Sequence, residues 1–513
     1  MSTNASDAAP VAPTGERLRL RRLGIDTYLE AVIYMRSDCA VCRAEGFDAQ
    51  SRVQVTLGDR HLIATLNVVA PSMLHEGEAS LSEVAWRTLQ AVDGDVIRVS
   101  HAAPLDSLSA LRAKVYGERL ALDAWRGIIS DVTAGHYSNL HLAALVTACA
   151  GDRLDESETI ALTRAMIDAG ARLSWAGTPV VDKHCVGGLP GNRTTPIVVA
   201  IVAAAGLIIP KTSSRAITSP AGTADTMEML APVDLDVPAM RRVVEREGGC
   251  VVWGGAVGLS PADDIIIRVE RPLDFDSEGQ LVASVLSKKA AAGATHIVLD
   301  MPVGPTAKVR SAQAANDLEA RLVHVGLAFG LHLRVVRGDG TQPIGCGMGP
   351  ALEARDVLAV LQGASSAPPD LRARALELTA NLLELCGKAA LGLGAALAED
   401  TLSSGRAWRK FQAICEAQGG MRTPPTAAHT HPVLARSSGR VAAFDNRRLA
   451  KAAKLAGAPH DPAAGIDLHV RLGDRVERGQ PLFTLHAQAQ GELAYALSYL
   501  ESIGDVIAVV AAQ

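Results

Sequence analysis

Apolar and polar residues alternate along the chain from Leu18 to about Val99. The stretches LRLRRL, RVQVTL and DVIRVS show the period of two that is typical of a β-strand with one buried face. Gly58-Asp59 and Gly94-Asp95 supply residues that tight turns favour. The pattern predicts a small, separate β-rich domain over residues 17–103. Residues 1–16, rich in Ala, Pro, Ser and Thr, are predicted to form a disordered tail.

The period of the apolar residues lengthens after Pro104 to that of an α-helix. The stretches LSALRAKVYGERL, DAWRGIISDVTAG, LHLAALVTACA and ESETIALTRAMIDAG each place apolar residues on one helical face. Asp155 precedes the last of them, Glu156 begins it, and both suit the start of a helix. The pattern predicts a helical lobe over residues 104–175.

Short apolar runs alternate with helical stretches from Thr178 onward. The runs are GTPVVDKH, GLIIPKT, GGCVVWGG, HIVLDMPVG and LHLRVVRGD, and Gly-rich loops follow several of them. This alternation indicates a parallel α/β sheet, which we place in a lobe over residues 176–425. The longest apolar run, Pro196 to Pro210, is interrupted by Gly206 and is too short to span a bilayer.

The last region, residues 426–513, is predicted to be an α+β domain with short strands and Gly-containing turns. Its stretch GDRVERGQPLFTL resembles the hammerhead of biotinyl and lipoyl carrier domains. Such carriers need an acceptor lysine in that region, and Lys454 is the last lysine of the chain. We therefore expect a hammerhead-like fold without the covalent chemistry.

Composition narrows the classes of partner. Aromatic residues make up 3% of the chain and the formal charge is −5, so we expect no binding to nucleic acid. Because the longest apolar run is too short to span a bilayer, we also expect no membrane association. The eight cysteines are mostly scattered, which favours reduced thiols in a cytoplasmic protein. Cys39 and Cys42 form one CxxC. Because no second ligand pair follows at a suitable spacing, we interpret them as ordinary thiols and predict no metal site.

The first candidate site is the stretch DKHCVGGLPGNRTT, which begins at Asp182 and follows a predicted strand. Its glycines let backbone N–H groups approach an anion, and a helix N-terminus adds a favourable dipole. Lys183 and the hydroxyls of Thr194 and Thr195 complete the chemistry of a phosphate site. The stretch fits neither the P-loop nor the dinucleotide-binding pattern, and a tight turn without a ligand is the alternative interpretation.

A second stretch, PKTSSRAITSPAGTAD, begins at Pro210 and carries many hydroxyls and two cations. It suits a second anionic group or a sugar, although a solvated turn with a helix cap at Thr223 is the structural alternative. In a third region, Ser284 and Lys288 stand four residues apart on one helix face. With Arg268 they suit the carbonyl oxygens of a base, although a solvated helix face is the common alternative.

These motifs resemble those of the thymidine and pyrimidine-nucleoside phosphorylase family. DKHCVGGLPGN is similar to the family's DKHS-x-GG motif, and PKTSSRAITSPAGTAD is closest to the counterpart in the AMP phosphorylase branch. ASVLSKK and QPIGCGMGPALE also match. The resemblance covers roughly residues 17–510 and implies a two-lobe α/β fold, in which a helical lobe, with a returning segment near 260–290, holds the base. It also implies a homodimer or larger homo-oligomer and no cofactor, since phosphate is a substrate.

The resemblance assigns roles by position. The implied catalytic residues are Asp276, Lys183 and His184. The implied phosphate ligands are Lys183, Thr195, Ser213 and Thr223. The implied base or nucleotide contacts are Gly188, Ser214, Arg215, Ala216, Ile217, Thr218, Ser219, Thr223, Arg268, Ser284, Lys288 and Lys308.

Two departures from the family pattern bear on function. Cys185 replaces the family's Ser after Lys-His, and a thiol is a weaker hydrogen-bond partner. Residues Ser214 to Ser219 replace the Gly-Arg-Gly-Leu-Gly-His loop of true thymidine phosphorylases, and their hydroxyls suit a 5′-phosphate. The implied reaction is therefore phosphate-dependent cleavage of an N-glycosidic bond, with a nucleoside 5′-monophosphate such as AMP favoured.

The sequence is compatible with more than one substrate. Adenine leaves best when protonated, which suits Asp276 if burial raises its pKa from about 3.9. Thymine can leave as an anion, which suits Arg268, Lys288 and His184, so thymidine is the second substrate hypothesis. An anthranilate-type phosphoribosyltransferase is a distant alternative because its Gly-Thr-Gly-Gly-Asp loop is missing here. A non-catalytic carrier is more distant still.

Overall fold

The computed structural model describes residues 17–216, 219–273, 275 and 277–511, with the backbone alone at Arg271. The predicted tail over 1–16 lies outside these residues. The chain divides into two compact units, residues 1–148 and 149–513, and each is considered by itself. Within the described residues, no helix combines the length and the apolar character that crossing a membrane requires.

The first unit begins with a closed barrel, and the strand order around it is β1-β5-β2-β4-β3-β6. Its elements are β1 (Arg17–Leu20), β2 (Val32–Arg36), α1 (Ala40–Glu45), β3 (Arg52–Leu57), β4 (Arg60–Val69), β5 (Glu78–Leu81), α2 (Glu83–Leu89) and β6 (Val96–His101). In β3 the alternating residues Val53, Val55 and Leu57 are buried, as the period of two predicts. The predicted β-rich domain is thus a barrel, whose closure leaves no open sheet edge.

Three helices complete the first unit: α3 (Ser107–Val115), α4 (Leu122–Thr133) and α5 (Asn139–Cys149), the last of which ends at the boundary between units. Helix α4 buries Trp125, Ile128, Ile129 and Val132. The spacing of three and four residues gives this helix one apolar face, so amphipathicity accounts for its formation.

The second unit starts with a helix and a run of alternating strands and helices. These are α6 (Glu156–Asp168), β7 (Val181–Cys185), α7 (Thr194–Ala204), β8 (Ile209–Ser213), α8 (Thr223–Glu228), α9 (Val237–Glu247), β9 (Gly249–Trp253), α10 (Gly254–Val257), α11 (Pro261–Leu273), α12 (Glu278–Ala291), β10 (His296–Val303), α13 (Ala312–Leu327) and β11 (His332–Asp339). Asp155 caps α6 by accepting a hydrogen bond from the backbone N–H of Glu158 (2.8 Å), as expected from its position.

All five predicted α/β strands form, and all their pairings are parallel. Strands β11, β10 and β7 form one sheet, β8 and β9 form another, and a parallel bridge between Val180 and Ile208 joins them. The resulting order is β11-β10-β7-β8-β9. The chain winds in one direction from β7 to β9 and then returns to the other side of β7 with β10. The switch point lies between β7 and β10, where open α/β sheets bind ligands at the strands' carboxyl ends.

The helix α7 lies at the centre of this unit's core. Residues 194–203 are all buried, including Ile197, Val199 and Ile201. Helices α15 and α17, introduced below, pack against it. A helix that is apolar all round needs such cover on every side. This explains why the longest apolar run of the chain is a core helix.

The remaining elements are β12 (Gly347–Met348), α14 (Pro350–Gln362), α15 (Pro369–Leu385), α16 (Gly394–Ser403), α17 (Arg406–Ala417), β13 (His429–Leu434), β14 (Gly439–Phe444), α18 (Asn446–Leu455), β15 (Gly465–Leu468), β16 (Arg475–Val476), β17 (Pro481–Ala487), α19 (Gln490–Ile503) and β18 (Ile507–Val510). The C-terminal strands form two small sheets, β12-β15-β17-β13 and β16-β14-β18. Because β12 precedes α14 and pairs with β15, the loop before α14 is tied into the C-terminal α+β region.

Candidate active site

The carboxyl ends of β7 and β8 carry the residues that the sequence singles out for phosphate. Lys183 lies in β7, Ser213 ends β8, and the Gly-rich loop runs from β7 to α7. In that loop Gly191 has φ +72°, and a Cβ there would lie 2.1 Å from the carbonyl oxygen of Ile344. Only glycine permits this close packing. The loop is therefore held against the segment that precedes α14.

Lys183 is buried in a network of polar groups on one face of β7. Its Nζ donates a hydrogen bond to Thr194 Oγ1 (2.7 Å) and lies 3.4 Å from Asp300 Oδ2. Asp300, in β10, also accepts hydrogen bonds from Arg374 and from Asn192 Nδ2 (2.9 Å). Burial opposes its ionisation, but Lys183 and Arg374 outweigh that effect and hold the pKa of Asp300 below its usual range. The Lys183 ammonium has three N–H bonds. Two are directed toward Thr194 and Asp300, and one remains for an anion.

Asp182 lies on the opposite face of β7 between two buried lysines. Its Oδ1 lies 3.1 Å from Lys211 Nζ, and its Oδ2 lies 2.9 Å from Lys289 Nζ. Burial opposes ionisation of Asp182, yet the two ammonium groups hold its pKa below the ordinary value. Burial and the adjacent Lys289 hold the pKa of Lys211 well below its usual range, although Asp182 opposes that shift. One carboxylate thus serves two cations, which leaves positive charge at this edge of the sheet.

His184 shares its face of β7 with Asp182, because strand residues two apart point the same way. Burial lowers the pKa of His184 well below its ordinary value, and four neighbouring lysines lower it further. The imidazole is therefore neutral at neutral pH. It is suited to hydrogen bonding rather than to charge pairing.

Cys185 stands where the family motif has serine. Its Sγ accepts a hydrogen bond from Asn192 Nδ2 (3.4 Å). Burial and the nearby carboxylate of Asp300 raise the pKa of the Cys185 thiol to about 12, so the thiol stays protonated. The position is thus part of the loop's hydrogen-bond network, with a weaker group than a hydroxyl.

The hydroxyl-rich segment after β8 meets the start of α8. The backbone N–H of Ala224 donates to Ser214 O (3.2 Å), and a Cβ at Gly222 would lie 2.5 Å from that oxygen. Helix α8 begins at Thr223 with Gly222 as its N-cap, so the alternative of a cap at Thr223 is wrong. Among the described residues, the buried Ser213 Oγ has no hydrogen-bond partner. Thr195, in the first turn of α7, is also buried.

Arg215 is held by carboxylates rather than left open to solvent. Its guanidinium donates to Glu228 Oε2 (2.6 Å) and Asp225 Oδ1 (3.3 Å), lies near Asp234, and stacks 5.0 Å from the ring centroid of Trp253. The guanidinium stays charged, and the negative charges of the surrounding carboxylates balance its positive charge. The remaining described residues of the predicted nucleotide loop are less constrained: Gly188 and Ser214 are exposed, Ala216 donates its N–H to Asp225, and Ser219 Oγ donates to Ala221 O. Ile217 and Thr218 lie outside the described residues.

The predicted base contacts lie on α11 and α12. Lys288 pairs with the buried Asp263 at short distance. Burial disfavours its charge, but Asp263 and other carboxylates outweigh burial and raise the pKa of Lys288. Ser284, one turn earlier, and Arg268 are half-buried. Lys308 is exposed on the loop after β10.

Asp276, the predicted proton donor, lies outside the described residues. The next residue, Ser277, is the N-cap of α12. Its Oγ accepts from the backbone N–H of Gln280 (3.3 Å). The acid role of Asp276 stays a prediction.

Among the charged residues of this site that were given no role from sequence, four form pairs distant in sequence: Arg193, Asp300, Glu353 and Arg374. Three of them lie within the stretches that the sequence analysis quoted, and Arg374 lies in the helical stretch that follows. Arg193 closes the Gly-rich loop and reaches Glu353, 160 residues away (2.6 Å). Sequence spacing gives no signal for such a pair, although a charged residue in an otherwise apolar run such as HIVLDMPVG is a usable hint.

Comparisons with known proteins agree with this architecture. Residues 108–170 match the helical bundle domain of the glycosyl transferase family, and residues 177–408 match that family's a/b domain. Residues 440–503 match the pyrimidine nucleoside phosphorylase C-terminal domain.

Whole-chain relatives are also similar. A protein of Acidovorax sp. (strain JS42) named "Putative thymidine phosphorylase 2" is 64% identical over 98% of both chains. One of Polaromonas sp. (strain JS666 / ATCC BAA-500) named "Putative thymidine phosphorylase" is 65% identical over 97% of both. Among solved structures, anthranilate phosphoribosyltransferase from Thermus thermophilus is 21% identical, with a TM-score of 0.49 over 60% of this chain and 99% of its own.

The fold and site define a pentosyltransferase, an enzyme that transfers the sugar of a nucleoside. The chain belongs to the thymidine/pyrimidine nucleoside phosphorylase family.

Proposed function

We propose that this enzyme uses inorganic phosphate to cleave the N-glycosidic bond of a nucleoside 5′-monophosphate such as AMP, giving free base and ribose 1,5-bisphosphate. The observation that carries the phosphorolysis is the surplus of buried cations at the carboxyl ends of β7 and β8. Lys183, Lys211 and Lys289 are buried there against two carboxylates, those of Asp182 and Asp300. Buried like charges that share too few carboxylates repel one another, so an anionic substrate would stabilise this arrangement.

In this proposal phosphate is the nucleophile and is bound before the glycosidic bond breaks. Lys183 has one undirected N–H, and the hydroxyls of Thr195, Ser213 and Thr223 supply further donors. These groups hold phosphate against the face of the sugar opposite the base, in line with the anomeric carbon. The phosphate charge also stabilises the positive charge that develops on the sugar as the base departs.

The leaving base is held by Arg268, Ser284 and Lys288. The pairing of Lys288 with Asp263 keeps this ammonium charged and fixed in place, so it suits a carbonyl oxygen or ring nitrogen that gains negative charge. Asp276 is proposed as the acid that protonates an adenine leaving group. The neutral His184 is proposed as a hydrogen-bond partner for the departing base.

The preference for a 5′-phosphate rests on the resemblance of residues 210–225 to the AMP phosphorylase branch. Because carboxylates balance the charge of Arg215, the proposed 5′-phosphate contacts are hydroxyls and backbone N–H groups between Ser214 and Ser219, with Gly188 and Lys308 completing them. Arg215 then acts by holding the loop against α8. The proposed enzyme needs no cofactor and works as a cytoplasmic homodimer or larger homo-oligomer.

A second candidate is phosphorolysis of thymidine to thymine and 2-deoxyribose 1-phosphate. The names of the two relatives, both of which are called thymidine phosphorylases, favour it. The two candidates share the phosphate site and differ in the role of the 214–219 loop.

The test is base release from AMP, CMP, UMP, thymidine and uridine, with and without phosphate. We expect phosphate-dependent release from a monophosphate and little from its nucleoside. The variant Ser214→Ala/Ser219→Ala should then raise the KM of the monophosphate while leaving slow nucleoside turnover unchanged. Release from thymidine or uridine alone, unaffected by these two substitutions, would replace the first candidate with the second. Base release at the same rate with and without phosphate would refute both candidates.

A further inference from the structure

Arg193 joins three segments of the phosphate site and has no assigned role. It lies between the Gly-rich loop and α7, with 8% of its surface exposed. Its Nε donates to Glu353 Oε2 (2.6 Å), and its Nη2 donates to the carbonyl oxygen of Ala221 (2.8 Å). Its Nη1 donates to Thr223 Oγ1 (2.8 Å). The planar guanidinium thus fixes the distance between the loop, α14 and the start of α8.

Glu353 is the counter-ion that holds this fork in place. It is completely buried in the first turn of α14. The same Oε2 atom also accepts a hydrogen bond from Thr226 Oγ1 (2.8 Å), which lies on α8 one turn after Thr223. The carboxylate therefore fixes both the guanidinium and the helix that carries the Thr223 hydroxyl.

The contact with Arg193 determines whether the Thr223 hydroxyl is a hydrogen-bond donor or acceptor toward other groups. A guanidinium has only donors, so the Thr223 oxygen must be the acceptor in that hydrogen bond. A hydroxyl has a single proton, and the described part of the chain offers that proton no acceptor. The proton is therefore available to an anion, and the half-exposed side chain is reachable by one.

We propose that Arg193, fixed by Glu353, is a positioning residue for the phosphate substrate, and that it acts by keeping the Thr223 hydroxyl as a hydrogen-bond donor. The inference rests on the proposed phosphate site and adds to it a residue pair that acts through Thr223. Arg193 itself touches neither the sugar nor the base.

A double-mutant cycle on Arg193→Met and Thr223→Val tests this mechanism. Phosphate binding to the full-length enzyme is measured by calorimetric titration without nucleoside, and KM and kcat are measured separately for phosphate and for the nucleoside or nucleotide substrate. Each single variant should weaken phosphate binding between about ten- and a hundredfold, the loss expected for one hydrogen bond to a charged group. The double variant should bind no more weakly than Thr223→Val, and Thr223→Ser should retain binding.

Arg193→Met leaves the Glu353 carboxylate buried without its counter-ion, which can prevent folding. A second variant without this buried charge is therefore included. The variant Arg193→Met/Glu353→Gln removes both charges at nearly constant volume and replaces Arg193→Met in the cycle if that single variant does not fold. In the Arg193 variants, the KM of the nucleoside or nucleotide should stay near the wild-type value. A merely structural role of Arg193 would instead change this KM and the KM of phosphate together.

Multiplicative losses in the double variant would overturn the inference, since Arg193 would then act independently of Thr223. Equal weakening of phosphate and of the nucleoside or nucleotide would overturn it too. A wild-type enzyme that does not bind phosphate would instead refute the proposed function. Tight phosphate binding by the wild type together with unaffected binding by Thr223→Val would refute the inference and the role of Thr223 as a phosphate ligand, while phosphorolysis itself would stand.

Discussion

The buried pairing of Asp182 with Lys211 and Lys289 makes a quantitative prediction about stability. Replacing Asp182 by Asn removes the one carboxylate between two ammonium groups at 3.1 and 2.9 Å, in a position that is 1% exposed. At an effective dielectric constant of about 20, each pair attracts by about 5 kcal/mol before desolvation is considered. Measured losses for removing one partner of a buried pair are about 3–5 kcal/mol.

Proton release by a buried lysine limits that loss of stability. A buried lysine without its carboxylate can release its proton, and keeping a lysine neutral at pH 7 costs about 4–5 kcal/mol relative to its ordinary pKa. Lys211 already has a strongly lowered pKa, so it is the lysine that we expect to deprotonate. We therefore predict that Asp182→Asn lowers the free energy of unfolding by about 3–5 kcal/mol at pH 7.

The assay is urea unfolding followed by tryptophan fluorescence, with Asp182→Asn/Lys289→Met as the matched control. The control restores the charge balance of the wild-type cluster, so it should recover much of the lost stability. Because the folded pKa of Asp182 is lowered, its contribution is present above the unfolded pKa of about 3.9 and disappears as pH falls through the folded value. The difference between wild type and Asp182→Asn should shrink accordingly in acid. A loss below about 1 kcal/mol at pH 7, the scale of an exposed ion pair, would refute the reasoning, as would a control no more stable than the single variant.

Three further predictions concern catalysis. Cys185→Ser should lower the KM for phosphate, because a hydroxyl is a stronger hydrogen-bond partner than a thiol, and an unchanged or higher KM in initial-rate measurements would contradict this. Lys288→Met should raise the KM of the nucleoside or nucleotide more than that of phosphate, since this lysine is paired with Asp263 on the proposed base side; the reverse ranking in steady-state kinetics would count against that placement. His184→Gln should leave the shape of the pH–rate profile between about pH 5 and 8 unchanged, because the pKa of His184 is well below its ordinary value; an acidic limb near pH 6.5 that the variant abolishes would show the imidazole to titrate there.

Local patterns in the sequence predicted much of the fold. The strands β7 to β11 follow from short apolar runs bounded by glycine, and the barrel strand β3 follows from strict alternation. Both signals arise within a few residues, so they can be read without tertiary information. The closure of the first six strands into a barrel could not be predicted, because closure depends on which strands pair and not on any one strand's pattern.

The grouping of the candidate phosphate residues was predictable where polar side chains are concentrated in one stretch. Lys183, Thr195, Ser213 and Thr223 occur in two motifs and lie at the carboxyl ends of β7 and β8 or at the helix starts that follow. The counter-ions that hold them were not predictable. Asp300 meets Arg374 across 74 residues, and Arg193 meets Glu353 across 160. Such pairs are set by sheet order and helix packing, which the spacing of residues does not encode.

The central claim is that phosphate itself attacks the anomeric carbon of the sugar. The most direct measurement is to run the reaction with phosphate carrying ¹⁸O at all four oxygens and to determine the label in the sugar 1-phosphate by mass spectrometry. Attack by phosphate forms a new carbon–oxygen bond while the base leaves, so the product should retain all four labels, one of them in the bridge to carbon 1. Release of base with free sugar, or with no labelled sugar phosphate, would show that water attacks instead and would contradict the account.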